Sequence, residues 1–115
     1  MILIVNKYLL SKKFRGISLW PFVIIRDRKD ARNLVFLNHE RIHQQQQLEL
    51  LIIPFYIWYL TEFSIRYFQT RDANRAYRNI SFEREAYANE GNLNYCIVRK
   101  RWNFTGYLNL KIKEN

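Results

Sequence analysis

From Asn33 to Ile53 the chain runs without glycine or proline, and both of its histidines fall inside that stretch, four residues apart. Such a run reads as one continuous helix. On a helix, residues i and i+4 stand one above the other, so His39 and His43 present their imidazoles on a single face. At about 100° per residue, that face also carries Val35, Phe36, Ile42, Gln46, Leu50 and Ile53. Asn38, Arg41, Gln45 and Glu49 lie opposite. Both histidines are therefore expected to point into the apolar interior. There each ring nitrogen needs a partner, because an unsatisfied buried polar group costs about 1–3 kcal/mol.

The segment His39-Glu40-Arg41-Ile42-His43 reads H-E-x-x-H. Two imidazoles at this spacing bind one zinc ion, and Glu40, one step round the helix, is placed to hold the water that the zinc polarises. The competing reading is structural: two core histidines bonded to nearby carboxylates or carbonyls, with Glu40 merely flanking them.

A zinc site needs a third protein ligand. Cys96 is the only cysteine and no histidine remains, which leaves a carboxylate. The segment from Phe82 to Glu90 offers Glu83, Glu85 and Glu90. On a helix beginning near Ser81, a favourable N-cap, Phe82, Glu85, Ala86, Asn89, Leu93 and Cys96 form one seam. Glu83 and Glu90 fall to its side, and an acid at Glu83 already suits the first-turn dipole. Glu85 is thus preferred as third ligand, with Glu83 as the alternative. Small Ala86 and Ala88 let another helix come close.

His39-Glu40-x-x-His43 followed by Glu85-x-x-Ala88-Asn89 resembles the zinc metallopeptidases called gluzincins. It is most similar to their integral-membrane branches, which read HExxH and later E-x-x-A-D. It also resembles a family of small bacterial proteins with the same pairing of motifs. The resemblance implies zinc on His39, His43 and Glu85, Glu40 as general base, and Asn89 orienting a ligand histidine. Asn89 stands where the family carries Asp. An amide oxygen still accepts a hydrogen bond but brings no charge, so weaker zinc binding is implied, typically by 10–100-fold for such outer partners. The implied fold is a minimal zincin-like domain. The implied partner is a peptide or protein substrate, or a protein that completes the cleft.

The chain has 115 residues and so forms one domain, residues 1–115. Hydrophobic residues make up 49%, enough for a packed core and against disorder. The lone cysteine forms no internal disulfide. Met1 to Val5 is apolar but short, and no signal peptide is apparent. A cytoplasmic or membrane-associated location is expected, and the sequons at Asn79 and Asn103 are read as chance. Net charge is +9, with cations at Lys7, Lys12, Lys13, Arg15, Arg26, Arg28, Arg71, Arg75, Arg78 and Arg99-Lys100-Arg101. A basic surface attracts nucleic acid or anionic lipid. No helix-turn-helix, RNA-binding aromatic signature or cysteine-rich finger is present, so nucleic acid is not the expected partner.

Leu50 to Leu60 is an uncharged run of eleven residues containing Pro54. A membrane span needs about 20, so a buried second helix is favoured, with an interfacial helix at a membrane surface as the alternative. The overall class is α+β, mainly helical. An N-terminal edge strand or hairpin spans Ile17 to Ile25, with Pro21 suited to an edge. An edge strand beside an HExxH helix can hold extended substrate by strand addition. Three helices follow: Asn33 to Ile53, Phe55 to Gln69 and Ser81 to Arg99, with a polar connection between the last two. Gln44 to Gln47 reads as solvated surface apart from inward Gln46. Tyr107 to Lys113 alternates like a strand. Tyr77, Tyr87, Tyr95 and Arg78 are candidates to stabilise an oxyanion. Besides an enzyme, these features fit a zinc-stabilised binding or regulatory module without catalysis.

Overall fold

The computed structural model describes residues 1–10, 12 and 14–113; Lys13 lies outside them. Gly16–Leu19 (β2) and Phe22–Ile25 (β3) form a hairpin, and Ile2–Val5 (β1) joins it, giving the order β1-β3-β2. β1 runs parallel to β3, and β2 antiparallel. Pro21 sits in the turn between β2 and β3 rather than within a strand, because it has no N–H for a ladder. At Gly16 a Cβ would lie 2.7 Å from Phe36 Cζ and 3.0 Å from Ile24 O, so only glycine lets the sheet approach the first helix this closely.

The α+β, mainly helical class is what the structure has, with five α-helices among the described residues instead of three. Leu34–Glu49 (α1) opens on Asn33, whose side chain accepts from Phe36 N–H. Ile53–Thr70 (α2) follows after a tight turn at Ile52 (φ 61°, ψ −68°), where Ile53 N–H reaches Leu51 O at 2.6 Å. That is the γ-turn geometry, strained for a branched residue. α1 and α2 meet at 113°, and no single helix is long and apolar enough to cross a membrane.

The expected polar connection holds a helix of its own, Ala73–Arg78 (α3), capped by the Asp72 carboxylate. The expected third helix is broken into Ser81–Asn89 (α4) and Tyr95–Val98 (α5). Asn38 of α1 holds the break at Gly91 and Asn92: its Nδ2 donates to the carbonyls of Glu90 and Asn92, both at 2.8 Å. Ser81 is the first residue of α4, not its cap. Glu62 of α2 takes that part, accepting from Ser81 N–H at 2.9 Å and from the Ser81 hydroxyl.

Of the glutamine run, Gln44, Gln46 and Gln47 are buried and Gln45 is half-buried, rather than solvated. Gln44 Nε2 donates to Ser18 Oγ, and Gln47 Nε2 donates to Ser18 O while its Oε1 accepts from Trp20 N–H. Two groups of Ser18 in β2 and the Trp20 N–H just beyond the strand are thereby occupied, with Tyr56 Oη also on Ser18 O. The strand-addition expectation therefore does not hold at this part of the edge. Residues 108–113 form no strand either. Their carbonyls are gathered by guanidiniums: Arg84 on Asn109 and Lys111, Arg66 on Asn109 and Leu110. The aromatic core of Phe55, Phe82 and Phe104 packs beneath these elements, with ring centroids 4.4 Å and 4.6 Å apart in sequence.

Candidate metal centre

α1 and α4 cross with their polar faces together. From α1, His39 and His43 point at α4; from α4, Glu83 points back. The His43 Nε2–His39 Nε2 distance is 3.1 Å, and Glu83 Oε1 lies 3.2 Å from His39 Nε2 and 3.1 Å from His43 Nε2. All three residues are buried, at 7%, 6% and 3% exposure in the order His39, His43, Glu83.

The ring nitrogens facing away decide what this triangle can hold. His43 Nδ1 lies 2.8 Å from Gln46 Oε1, and Gln46 Nε2 donates to Phe82 O and Glu85 Oε1. With its amide hydrogens so committed, Gln46 can only accept from His43, so His43 carries its proton on Nδ1. His39 Nδ1 faces Glu90 Oε1 at 3.4 Å, again an acceptor. In the neutral rings both Nε2 atoms then bring lone pairs to one point shared with a carboxylate oxygen. Three lone pairs at this spacing repel unless a cation or a proton lies between them. Tetrahedral zinc with bonds of about 2.0–2.1 Å spaces its ligand atoms about 3.3–3.4 Å apart. The observed edges fall just inside that value, and the donor set of two imidazoles and a carboxylate is one zinc accepts.

Tyr59 of α2 fixes the carboxylate, donating to Glu83 Oε2 at 2.7 Å. Burial and the Glu83 charge hold the Tyr59 pKa well above its ordinary value, so it remains a donor. Without a metal, a proton serves instead. Burial pushes the His43 pKa down, but the adjoining Glu83 carboxylate outweighs it and raises it to about 9. Burial alone would raise Glu83; the imidazoles, His43 foremost, hold it below the usual carboxylate range.

Glu40 is buried at 6% exposure, and its carboxylate makes no hydrogen bond among the described residues. Burial raises its pKa, partly offset by His43 and His39 and reinforced by Glu83. It is a carboxylate beside the triangle with an elevated proton affinity.

Two sequence expectations are corrected here. Glu85 does not face the histidines. It is fully buried against Arg99, whose Nε and Nη2 lie 2.6 Å and 3.0 Å away, and it accepts from Tyr95 Oη at 2.6 Å. Asn89 reaches no histidine either, donating to Glu85 O and Tyr107 Oη. The ring nitrogens turned away from the triangle instead face Glu90 and Gln46. The helix wheel misled because α4 has no solvent face along its first six residues: Ser81 to Ala86 are all buried. Tyr95 is drawn to Glu85. Tyr87 stays near the site, its ring centroid 4.5 Å from that of His39, with Tyr77 Oη 3.2 Å from Tyr87 Oη and Arg78 over the Tyr87 ring.

Sequence reasoning ranked Glu83 second to Glu85, set Glu90 aside and did not weigh Tyr59. A signal existed for the first two: seven residues apart, they share a helix face, and both meet His39. No sequence feature marked Tyr59. No family model, curated protein or solved structure matches the chain.

Proposed function

We propose that this chain is a zinc-dependent hydrolase of the peptidase type, with His39, His43 and Glu83 as ligands and Glu40 as general base. One observation carries the reading. Two Nε2 lone pairs and one carboxylate oxygen converge at 3.1–3.2 Å, while each opposite ring nitrogen faces an acceptor. A bound zinc ion would supply Lewis acidity, polarising a carbonyl and lowering the pKa of water towards about 7. Glu40 then takes the proton from the attacking water and returns it to the leaving amine, a task its raised pKa favours. Tyr59 keeps Glu83 in place, and Gln46 and Glu90 keep the rings turned. Tyr87, backed by Arg78, is the phenol closest to His39 among those considered for the oxyanion. The substrate is a peptide or protein.

The burial of the site supports a second reading. His39, Glu40, His43 and Glu83 are each less than 8% exposed, which suits a zinc ion that stabilises a non-catalytic module. Metal analysis of untagged protein, with peptide hydrolysis by the native chain and Glu40→Gln, separates the two. One zinc per chain with activity lost in Glu40→Gln supports the enzyme. One zinc with no activity in either supports the module. Less than about a tenth of an equivalent, with unchanged folding in chelator, overturns both.

A further inference from the structure

α2 has 18 residues, about 27 Å of helix, and its solvent side carries no charge. Ile53, Ile57, Leu60 and Phe68 are each 62–71% exposed, and Ile65 is 46% exposed. The only charged residues of the helix, Glu62 and Arg66, are turned inward and buried. A shallow apolar groove runs along this side, lined by Pro54, Ile57, Trp58, Thr61 and Ile65 with Glu62. The two aliphatic hydroxyls of the middle turns of α2 are bonded within the helix. Thr61 Oγ1 donates to Ile57 O at 2.8 Å and Ser64 Oγ to Leu60 O at 2.9 Å. At the end of the face a cation takes over, with the Arg71 guanidinium 5.3 Å above the Phe68 ring.

The remaining surface is nearly free of negative charge. Asp30, Glu40, Glu62, Glu83 and Glu85 are buried, and Glu49 and Glu90 are partly buried against Arg99 and His39. Among the described residues only Asp27 and Asp72 are exposed acids. Lys7, Arg28, Arg41, Arg71, Lys100 and Arg101 are all exposed. The net charge of +9 is therefore carried at the surface.

We propose that the uncharged face of α2 docks on a bilayer containing anionic phospholipid, with Arg71 at its end on the headgroups and the net positive surface drawing the chain to the bilayer. Exposed apolar surface of this extent marks an interaction site. A polyanion such as nucleic acid would use the cations and leave the face in water; a bilayer uses both. Internally bonded hydroxyls suit a helix side that enters hydrocarbon, where no water satisfies them. The inference is independent of the zinc site.

Vesicle flotation of the full chain tests it. With vesicles of phosphatidylcholine and about 30% phosphatidylglycerol, the chain should float at low salt. It should float about tenfold less with phosphatidylcholine alone or in about 0.5 M salt. Leu60→Glu should lower flotation about tenfold while circular dichroism is unchanged. Thr61→Asp, a small change at an exposed position, provides the same reading if Leu60→Glu fails to fold. Native protein that stays at the bottom overturns the proposal. So does equal flotation of native chain and folded variants, which would mean charge alone acts. A dimer in solution that Leu60→Glu dissociates, with no flotation, would assign the face to a second copy and also overturn it.

Discussion

His43 donates its Nδ1 proton to Gln46 Oε1 across 2.8 Å, a single turn further along the same helix. Gln46 passes the constraint on to Glu85 Oε1 at 2.9 Å, and Glu85 is clamped by Arg99, which also grips Glu49 at 2.6 Å. The residue expected from the motif as a ligand is thus joined to the centre at one remove. It anchors the amide that sets the tautomer of His43.

Glu83→Gln and Glu85→Gln should separate cleanly. Removing a direct ligand should cost more zinc affinity than the 10–100-fold typical of an outer partner, so Glu83→Gln should lose more than about 100-fold. Glu85→Gln should lose no more than about tenfold. It leaves the Arg99 guanidinium, 1% exposed, with Glu49 alone, and should lower stability by about 3 kcal/mol. Chelator competition and urea unfolding measure the two quantities. A larger affinity loss at Glu85 would show that α4 has been given the wrong phase.

Gln46→Ala removes the acceptor for His43 Nδ1 and the donor to Phe82 O. We expect zinc affinity to fall about 10–100-fold and stability by about 1–3 kcal/mol. Gln46→Glu keeps an acceptor for the imidazole and should restore much of the zinc affinity without restoring stability, since it sets a second carboxylate against Glu85. Equal zinc affinity in all three proteins would exclude an orienting role.

In chelator, the His43–Glu83 pair should make stability depend on pH in the alkaline range. The folded His43 pKa, about 9, lies above its ordinary 6.5. Its contribution is therefore complete below about pH 6.5 and is lost as pH rises through about 9, amounting to at most about 3 kcal/mol. Zinc reverses the dependence, because it must displace that proton. Apparent zinc affinity should rise about tenfold per pH unit between about 7 and 9, then level off. Titrations across that range check it, and a flat profile would exclude proton displacement from the ligand set.

Glu40→Gln should leave zinc stoichiometry at one while removing hydrolysis. It should also stabilise the protein in chelator, by about 1 kcal/mol, because it removes a buried carboxylate that lacks a hydrogen-bond partner among the described residues. A carboxyl with a raised folded pKa weakens the fold where it is ionised, so the gain should be present at neutral pH and shrink as pH falls towards the ordinary carboxylate range. Unchanged activity would remove Glu40 from the chemistry.

The helix bearing His39, Glu40 and His43 was legible because its signal is local. Spacing by four within a stretch free of breakers places both rings on one face whatever surrounds them. The mainly helical α+β class followed from similar local patterns, as did the hairpin near Pro21. Failures came where contacts are distant in the chain. The carbonyls freed by the break after α4 are taken up by Asn38, more than fifty residues away. The glutamine run looked solvated because glutamines usually are, yet the β2 hairpin offered Ser18 O and Trp20 N–H, and the long amide side chain of Gln47 satisfied both.

Residue order alone puts two imidazoles and a glutamate on one helix and leaves a carboxylate to complete any metal set. It did not choose that carboxylate. A helix wheel assigns an inward face by contrast with a wet one, and the first six residues of α4, Ser81 to Ala86, are buried all round. There the choice fell to charge pairing in three dimensions. Arg99, brought back by α5, claimed Glu85. Tyr59, brought across by α2, turned Glu83 toward the histidines. A buried charge must find its partner wherever the chain places one, and the packing of distant elements sets which partner is within reach.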